Sequence, residues 1–111
     1  MTRDITVAAL QLPIAASEAE NIDAVSDLVS QASDLGAQII LPPELFSGPY
    51  FCKTQEEKHF ALARSVLEHP AVKAMAKLAK RLNVAIPTSF FERDGAHFYN
   101  SVAMIDPNGD I

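Results

Sequence analysis

Basic residues are in short supply: 9 Lys and Arg stand against 14 Asp and Glu, a formal charge of −5 with the three histidines neutral. A nucleic-acid binder carries a basic face, so the balance argues against that class. Cysteine is scarcer still. Cys52 stands alone, with no partner for an internal disulfide and no companion at zinc-ligand spacing, which favours a reducing, cytoplasmic setting. Glycine (4) and proline (7) are too few for a collagen-like or low-complexity chain, and 49% hydrophobic against 21% charged residues is not the balance of a disordered one. No apolar run is long enough to cross a bilayer, so no membrane partner is expected. Arg3 followed by apolar residues and Ala15-Ala16 faintly imitates a secretory signal, but Asp4 cancels the arginine and Gln11 and Pro13 interrupt the run. What remains is a globular unit of 111 residues, long enough to bury roughly 65% of its unfolded surface.

The pattern along the chain is strand, helix, strand, then two helices and a hairpin. Residues 5–12 are β-branched and apolar with little alternation, which predicts a central strand covered on both faces. Ser17 and Glu20 have capping-box spacing, and Ile22, Val25, Val29, Ala32 and Leu35 follow at helical intervals before Gly36 stops the helix. Residues 38–41 form a second strand, parallel to the first, which Pro42-Pro43 end because neither can donate to a ladder. Residues 44–53 are a loop beyond a strand's carboxyl end, where open α/β sheets bind ligands. Thr54 and Glu57 repeat the capping-box spacing and predict a helix to about Ala63.

Pro70 begins a third helix with Val72, Met75, Ala76, Ala79 and Leu82 on one face. Its Lys73, Lys77, Lys80 and Arg81 read as a solvated face rather than a site for an anionic partner. Residues 84–92 are a third strand, Asp94-Gly95 is a hairpin signal, and residues 97–105 are the fourth strand. Asp106-Pro107-Asn108-Gly109 then predicts a further reversal with only Asp110 and Ile111 left to begin the return. That would leave Val102, Met104 and Ile105 on a raw edge, a feature native sheets avoid. The expectation is therefore an amino-terminal piece of something longer.

Glu44 is the leading candidate for chemistry. It follows an apolar strand and two prolines and sits among Leu45, Phe46, Tyr50 and Phe51, where loss of water would make a carboxylate a better general base. The bland alternative is a carboxylate that caps a helix or pairs with a surface lysine. Cys52 with His59 seven residues on suggests a nucleophile and base, against the simpler reading of a thiol packed as a small hydrophobe. His69 and His97 have no companions at ligand spacing, so no metal is expected. A short α/β binding module, holding an amine on Glu44 or pairing its last strand with a partner, is the non-enzymatic alternative.

Leu41-Pro42-Pro43-Glu44-Leu45-Phe46 resembles the first motif of the nitrilase, or carbon-nitrogen hydrolase, superfamily. Residues 7–11 and 36–40, Tyr50-Phe51-Cys52 and residues 99–106 support the likeness, which extends over essentially the whole chain. Within the family, Tyr50-Phe51-Cys52 and Ser89-Phe90-Phe91-Glu92 are most similar to the N-carbamoylputrescine amidase subgroup of polyamine biosynthesis. The resemblance implies the amino-terminal part of a four-layer αββα sandwich with a mixed sheet, residues 1–111 being an incomplete portion of a single hydrolase domain. It implies a Glu, Lys and Cys triad acting on a small carbamoyl or amide substrate without a cofactor, in a homo-oligomer when full length. Glu44 matches the catalytic base and Tyr50 a position lining the substrate pocket. The matching lysine and nucleophilic cysteine lie beyond Ile111. Cys52 and Lys53 match neither, so the chain by itself is expected to be inactive.

Overall fold

Ser17 opens the first helix as its spacing predicts: its backbone is extended and its Oγ accepts from the Glu20 N–H at 3.4 Å. The computed structural model describes residues 2–50 and 56–111. In it α1 spans Glu18–Asp34, with Val25, Val29 and Ala32 buried. Gly36, at φ +97°, turns the chain out of the helix in a conformation that disfavours any side chain. The expected core position Leu35 is 86% exposed, because the helix has ended at Asp34 and Leu35 caps it.

This helix is the crossover between β1 (Val7–Ala9) and β2 (Ile39–Leu41), which run parallel with Val7 opposite Ile39. Bonds from Gln38 N–H to the Thr6 carbonyl (2.8 Å) and from Leu10 N–H to the Leu41 carbonyl (2.9 Å) extend the pairing beyond both ends. Both strands are shorter than predicted, and β1 is not covered on both faces: Val7 is 67% exposed while Ala8 packs against the core. A continuous apolar run signals two covers, but the described helices supply only one.

The 3-10 helix Glu57–Leu62 occupies the place of the second predicted helix. Its N-cap is Glu56, with no side-chain capping bond, and Thr54 lies outside the described residues. Helix α2 (Pro70–Leu82) begins with Pro70 in its first turn, where a missing N–H costs nothing. It ends at Asn83 in the left-handed region. Its buried face is Ala71, Val72, Met75, Leu78 and Ala79, rotated slightly from prediction: Leu78 enters the core, whereas Ala76 and Leu82 reach its margin. Lys73, Lys77, Lys80 and Arg81 are all exposed.

Strands β3 (Ile86–Asp94) and β4 (His97–Ile105) form an antiparallel ladder from Ile86 opposite Ile105 to Asp94 opposite His97. The two residues joining them are Gly95 and Ala96, one position later than the Asp94-Gly95 signal suggests, with Gly95 at φ +62° as primed turns require. Ala85 links the two strand pairs. Its N–H donates to the Gln38 carbonyl and its carbonyl accepts from Ile40 N–H, both at 2.9 Å, which completes a mixed order β1-β2-β3-β4. The reversal after β4 also forms, closed by Asp106 N–H donating to the Asp110 carbonyl at 2.8 Å.

Helices α1 and α2 pack on one face of this sheet around Ile40, Phe46, Met75, Ile86, Phe90 and Ile105. Ile105 is thus buried, not part of a raw edge. Alternation along the strands turns Val7, Leu41, Val102 and Met104 to the opposite face, where they are exposed.

Candidate functional site

The loop after β2 is built by alternating anchors. Pro42 is buried as the strand ends, Phe46 is fully buried in the main core, and Leu45 packs in a smaller cluster with Ala63, Phe91 and Leu62. Burying two consecutive residues in different clusters forces an unusual backbone, and Leu45 adopts φ +52°. The Leu45 N–H donates to Ser89 Oγ on β3 at 2.9 Å. On the far side of the loop, Asn21 of α1 donates to the Ser47 carbonyl at 3.2 Å.

These anchors leave Glu44 facing outward. The carboxylate is exposed, so the described residues do not supply the desolvation expected from its aromatic neighbours: Phe46 points into the core instead of over it. Asn100 of β4 donates from Nδ2 to Glu44 Oε1 at 3.0 Å. That contact corresponds to neither of the bland alternatives, a helix cap or a lysine pair.

Glu44 and Tyr50 line one open groove of about 570 Å³, together with residues 14–16, Leu45, Gly48, Pro49, Glu56 and His59. Tyr50 is half exposed. Glu56, which the sequence pattern does not single out, brings a second carboxylate to the wall. Its partner Lys58, at 2.8 Å, donates a hydrogen bond that holds the Glu56 carboxyl below its ordinary range and raises the lysine in turn. His59 Nε2 is 3.9 Å from Glu56, and its buried Nδ1 has no hydrogen-bond partner among the described residues. Cys52, the other half of the cysteine and histidine pairing considered from the sequence, lies outside the described residues, as do Phe51 and Lys53.

The remaining histidines are apart from the groove's wall. His69 is buried as the N-cap of α2, its Nδ1 accepting from Ala71 N–H at 3.2 Å and its ring edge-on to Phe90. Burial, and secondarily the charge of Arg64, push its imidazole down to about 4. His97 is exposed at the hairpin end, beside Tyr99. Among the described residues, no three His, Cys, Asp or Glu side chains converge as a metal site would require, and no helix is long and apolar enough to cross a membrane.

Ser89 and Asn100, which hold the Glu44 segment from β3 and β4, are residues the sequence reading misses as partners, as is Asn21 on α1. Neither Ser89 nor Asn100 has a spacing relationship to Glu44, and only the β3–β4 register brings them to it.

A family profile described as carbon-nitrogen hydrolase matches residues 6–111. A citrullinase from Francisella tularensis is 49% identical across 97% of this chain and 38% of its own length. An N-carbamoylputrescine amidase from Arabidopsis thaliana is 44% identical across 96% of this chain and 36% of its own. The chain therefore spans a little over a third of these relatives. The crystal structure of a carbon-nitrogen hydrolase from Helicobacter pylori G27 superposes with a TM-score of 0.85 at 24% identity, over 96% of this chain and 37% of that one. The mixed sheet with helices on one face is thus an α/β part of the nitrilase-superfamily sandwich.

Proposed function

We propose that this chain, which belongs to the carbon-nitrogen hydrolase family, is the amino-terminal portion of one hydrolase domain and supplies the general base for cleavage of a carbamoyl C–N bond. The observation that carries the reading is Glu44 itself. It stands at the end of a parallel strand, open to a groove shared with Tyr50, with one carboxylate oxygen held by Asn100 and the other left to handle a proton.

A carbamoyl carbonyl is deactivated by its two nitrogens, so its hydrolysis needs a strong nucleophile, a proton shuttle and a stabilised oxyanion. In this reading Glu44 accepts the proton of a thiol as sulfur attacks the carbonyl carbon, then returns it to the departing nitrogen. It next draws a proton from water as the hydroxyl adds to the thioester-like intermediate and the thiol leaves. In this reading the lysine and the thiol come from the part of the domain beyond this chain, so the isolated chain is expected to be inactive. The carbamic acid released from the thiol then breaks its remaining C–N bond unaided, so the net reaction is R–NH–CO–NH₂ plus water giving R–NH₂, carbon dioxide and ammonia.

The substrate we favour is N-carbamoylputrescine. With Glu44 reserved for the carbamoyl group, Glu56 is the carboxylate on the described wall that suits the ammonium end of an alkyl amine, in exchange for its pairing with Lys58, while the apolar atoms of Ile14, Ala15 and Leu45 suit its methylenes. The 49% identity to a citrullinase supports a second reading, in which the same ureido group is carried on an amino acid. Ammonia release by the full-length protein from N-carbamoylputrescine, citrulline, β-ureidopropionate and a simple amide separates the two. Glu44→Gln should keep substrate binding and abolish release. Near-normal turnover in that variant overturns the role of Glu44.

A further inference from the structure

The geometry points to Ser89 and Asn100, one from each strand of the β3–β4 hairpin, as the positioning residues of the general base. This inference rests on Glu44 being that base. Ser89 lies opposite Val102, and Asn100 opposite Phe91, so both side chains project from the same face of one ladder, two residues apart along it. Each grips a different part of the Glu44 segment.

Ser89 acts on the backbone. Leu45 holds a left-handed conformation that a bulky L-residue resists, and relaxation there would swing the Glu44 side chain by rotating the peptide that joins the two residues. Two features oppose relaxation. The Leu45 side chain is locked in its cluster with Ala63 and Phe91, and its N–H, turned away from any regular ladder, finds its acceptor in Ser89 Oγ at 2.9 Å. Without the hydroxyl this part-buried donor would lose that acceptor.

Asn100 acts on the carboxylate. Its amide N–H binds Oε1 at 3.0 Å, which fixes the carboxylate plane and reserves Oε2 for proton transfer. Because the two anchors share one ladder, backbone and side chain are set by a single rigid element, as a base that must meet a thiol within hydrogen-bond reach requires.

The test uses the full-length enzyme and steady-state ammonia release. Asn100→Ala is expected to lower kcat about 10- to 100-fold, with KM changed by less than about twofold, because orientation and not substrate contact is lost. Asn100→Asp should lose more, since it sets an acceptor against the carboxylate. Ser89→Ala should lower kcat about 10-fold, and Ser89→Thr, which keeps the hydroxyl and suits a strand, should restore it. A merely structural serine would not show that rescue at unchanged melting temperature. Asn100 is exposed, so its variants test the inference even where Ser89→Ala folds poorly. Wild-type kcat in Asn100→Ala, or a loss confined to KM, overturns the inference. If Glu44→Gln is dead while both alanine variants turn over normally, the positioning role falls and the function of Glu44 stands. If Glu44→Gln is itself active, the functional reading falls.

Discussion

Asn21 donates its side-chain amide to the Ser47 carbonyl at 3.2 Å, joining α1 to the loop that carries Glu44 across 26 positions of sequence. The same amide donates to the Ala15 carbonyl at 2.9 Å, and its Oδ1 accepts from the Ala15 N–H at 2.7 Å. A buried asparagine with its donors and its carbonyl engaged behaves as a three-way pin. Asn21→Ala should cost about 1–3 kcal/mol, because it leaves the buried Ser47 carbonyl without that donor and removes both bonds to Ala15. Asn21→Asp should cost at least as much, since it aims an acceptor at two carbonyls. Urea denaturation of the 111-residue chain measures both. A loss below about 0.5 kcal/mol, the range of an ordinary surface substitution, would refute the pin.

His69 predicts a pH dependence of stability. Its folded value of about 4 lies below the ordinary 6.5, so above pH 6.5 the ring is neutral in both states and its contribution is complete. As pH falls from 6.5 towards 4, the unfolded chain takes up a proton that the folded chain refuses, and stability declines. The full loss is about 3 kcal/mol and levels off below pH 4, where both states are protonated. Protonation also removes the acceptor that caps α2 at Ala71. His69→Asn retains a capping acceptor but does not titrate, so its melting temperature should change less between pH 7 and pH 5 than that of the parent chain. Identical pH profiles would remove His69 as the cause.

The same substitution should have opposite signs at two glycines. Gly36 sits at φ +97° with open space around it, so Gly36→Ala is opposed by backbone strain alone and should cost about 1 kcal/mol. Gly48 has no such conformation, and an added Cβ would meet Leu62 Cδ1 at an ordinary 3.6 Å. Gly48→Ala should therefore stabilise the chain by about 0.5 kcal/mol through the unfolded state. Thermal melts of the two variants provide the comparison, and a shift in the same direction for both contradicts it.

Features governed by local chemistry were legible in the sequence. The Ser17 cap, Pro70 in the first turn of α2 and the bounds of β4 depend on neighbours a few residues away, and the parallel crossover follows from the general rule for a strand, helix, strand unit. Glu44 stood out because a strand's carboxyl end is a general place for ligands, and Tyr50 only through the family resemblance; both lie on one open groove. What escaped depends on distant pairing. Ala85 joining the two strand pairs, Asn100 reaching Glu44 and Ser89 receiving Leu45 N–H are set by register, which hydrophobic pattern alone does not give for a hairpin this exposed. The expected desolvation of Glu44 failed for a related reason. Aromatic residues adjacent in sequence need not surround a side chain, and Phe46 faces the opposite way.

The sheet face away from the helices has a thermodynamic consequence. Val7, Leu41, Val102 and Met104 keep their apolar surface in water, so any association through them releases ordered hydration and carries a negative heat-capacity change. Contacts made by this face therefore strengthen on warming from the cold and loosen on chilling. Any self-association through this face would therefore depend on storage temperature as well as on concentration.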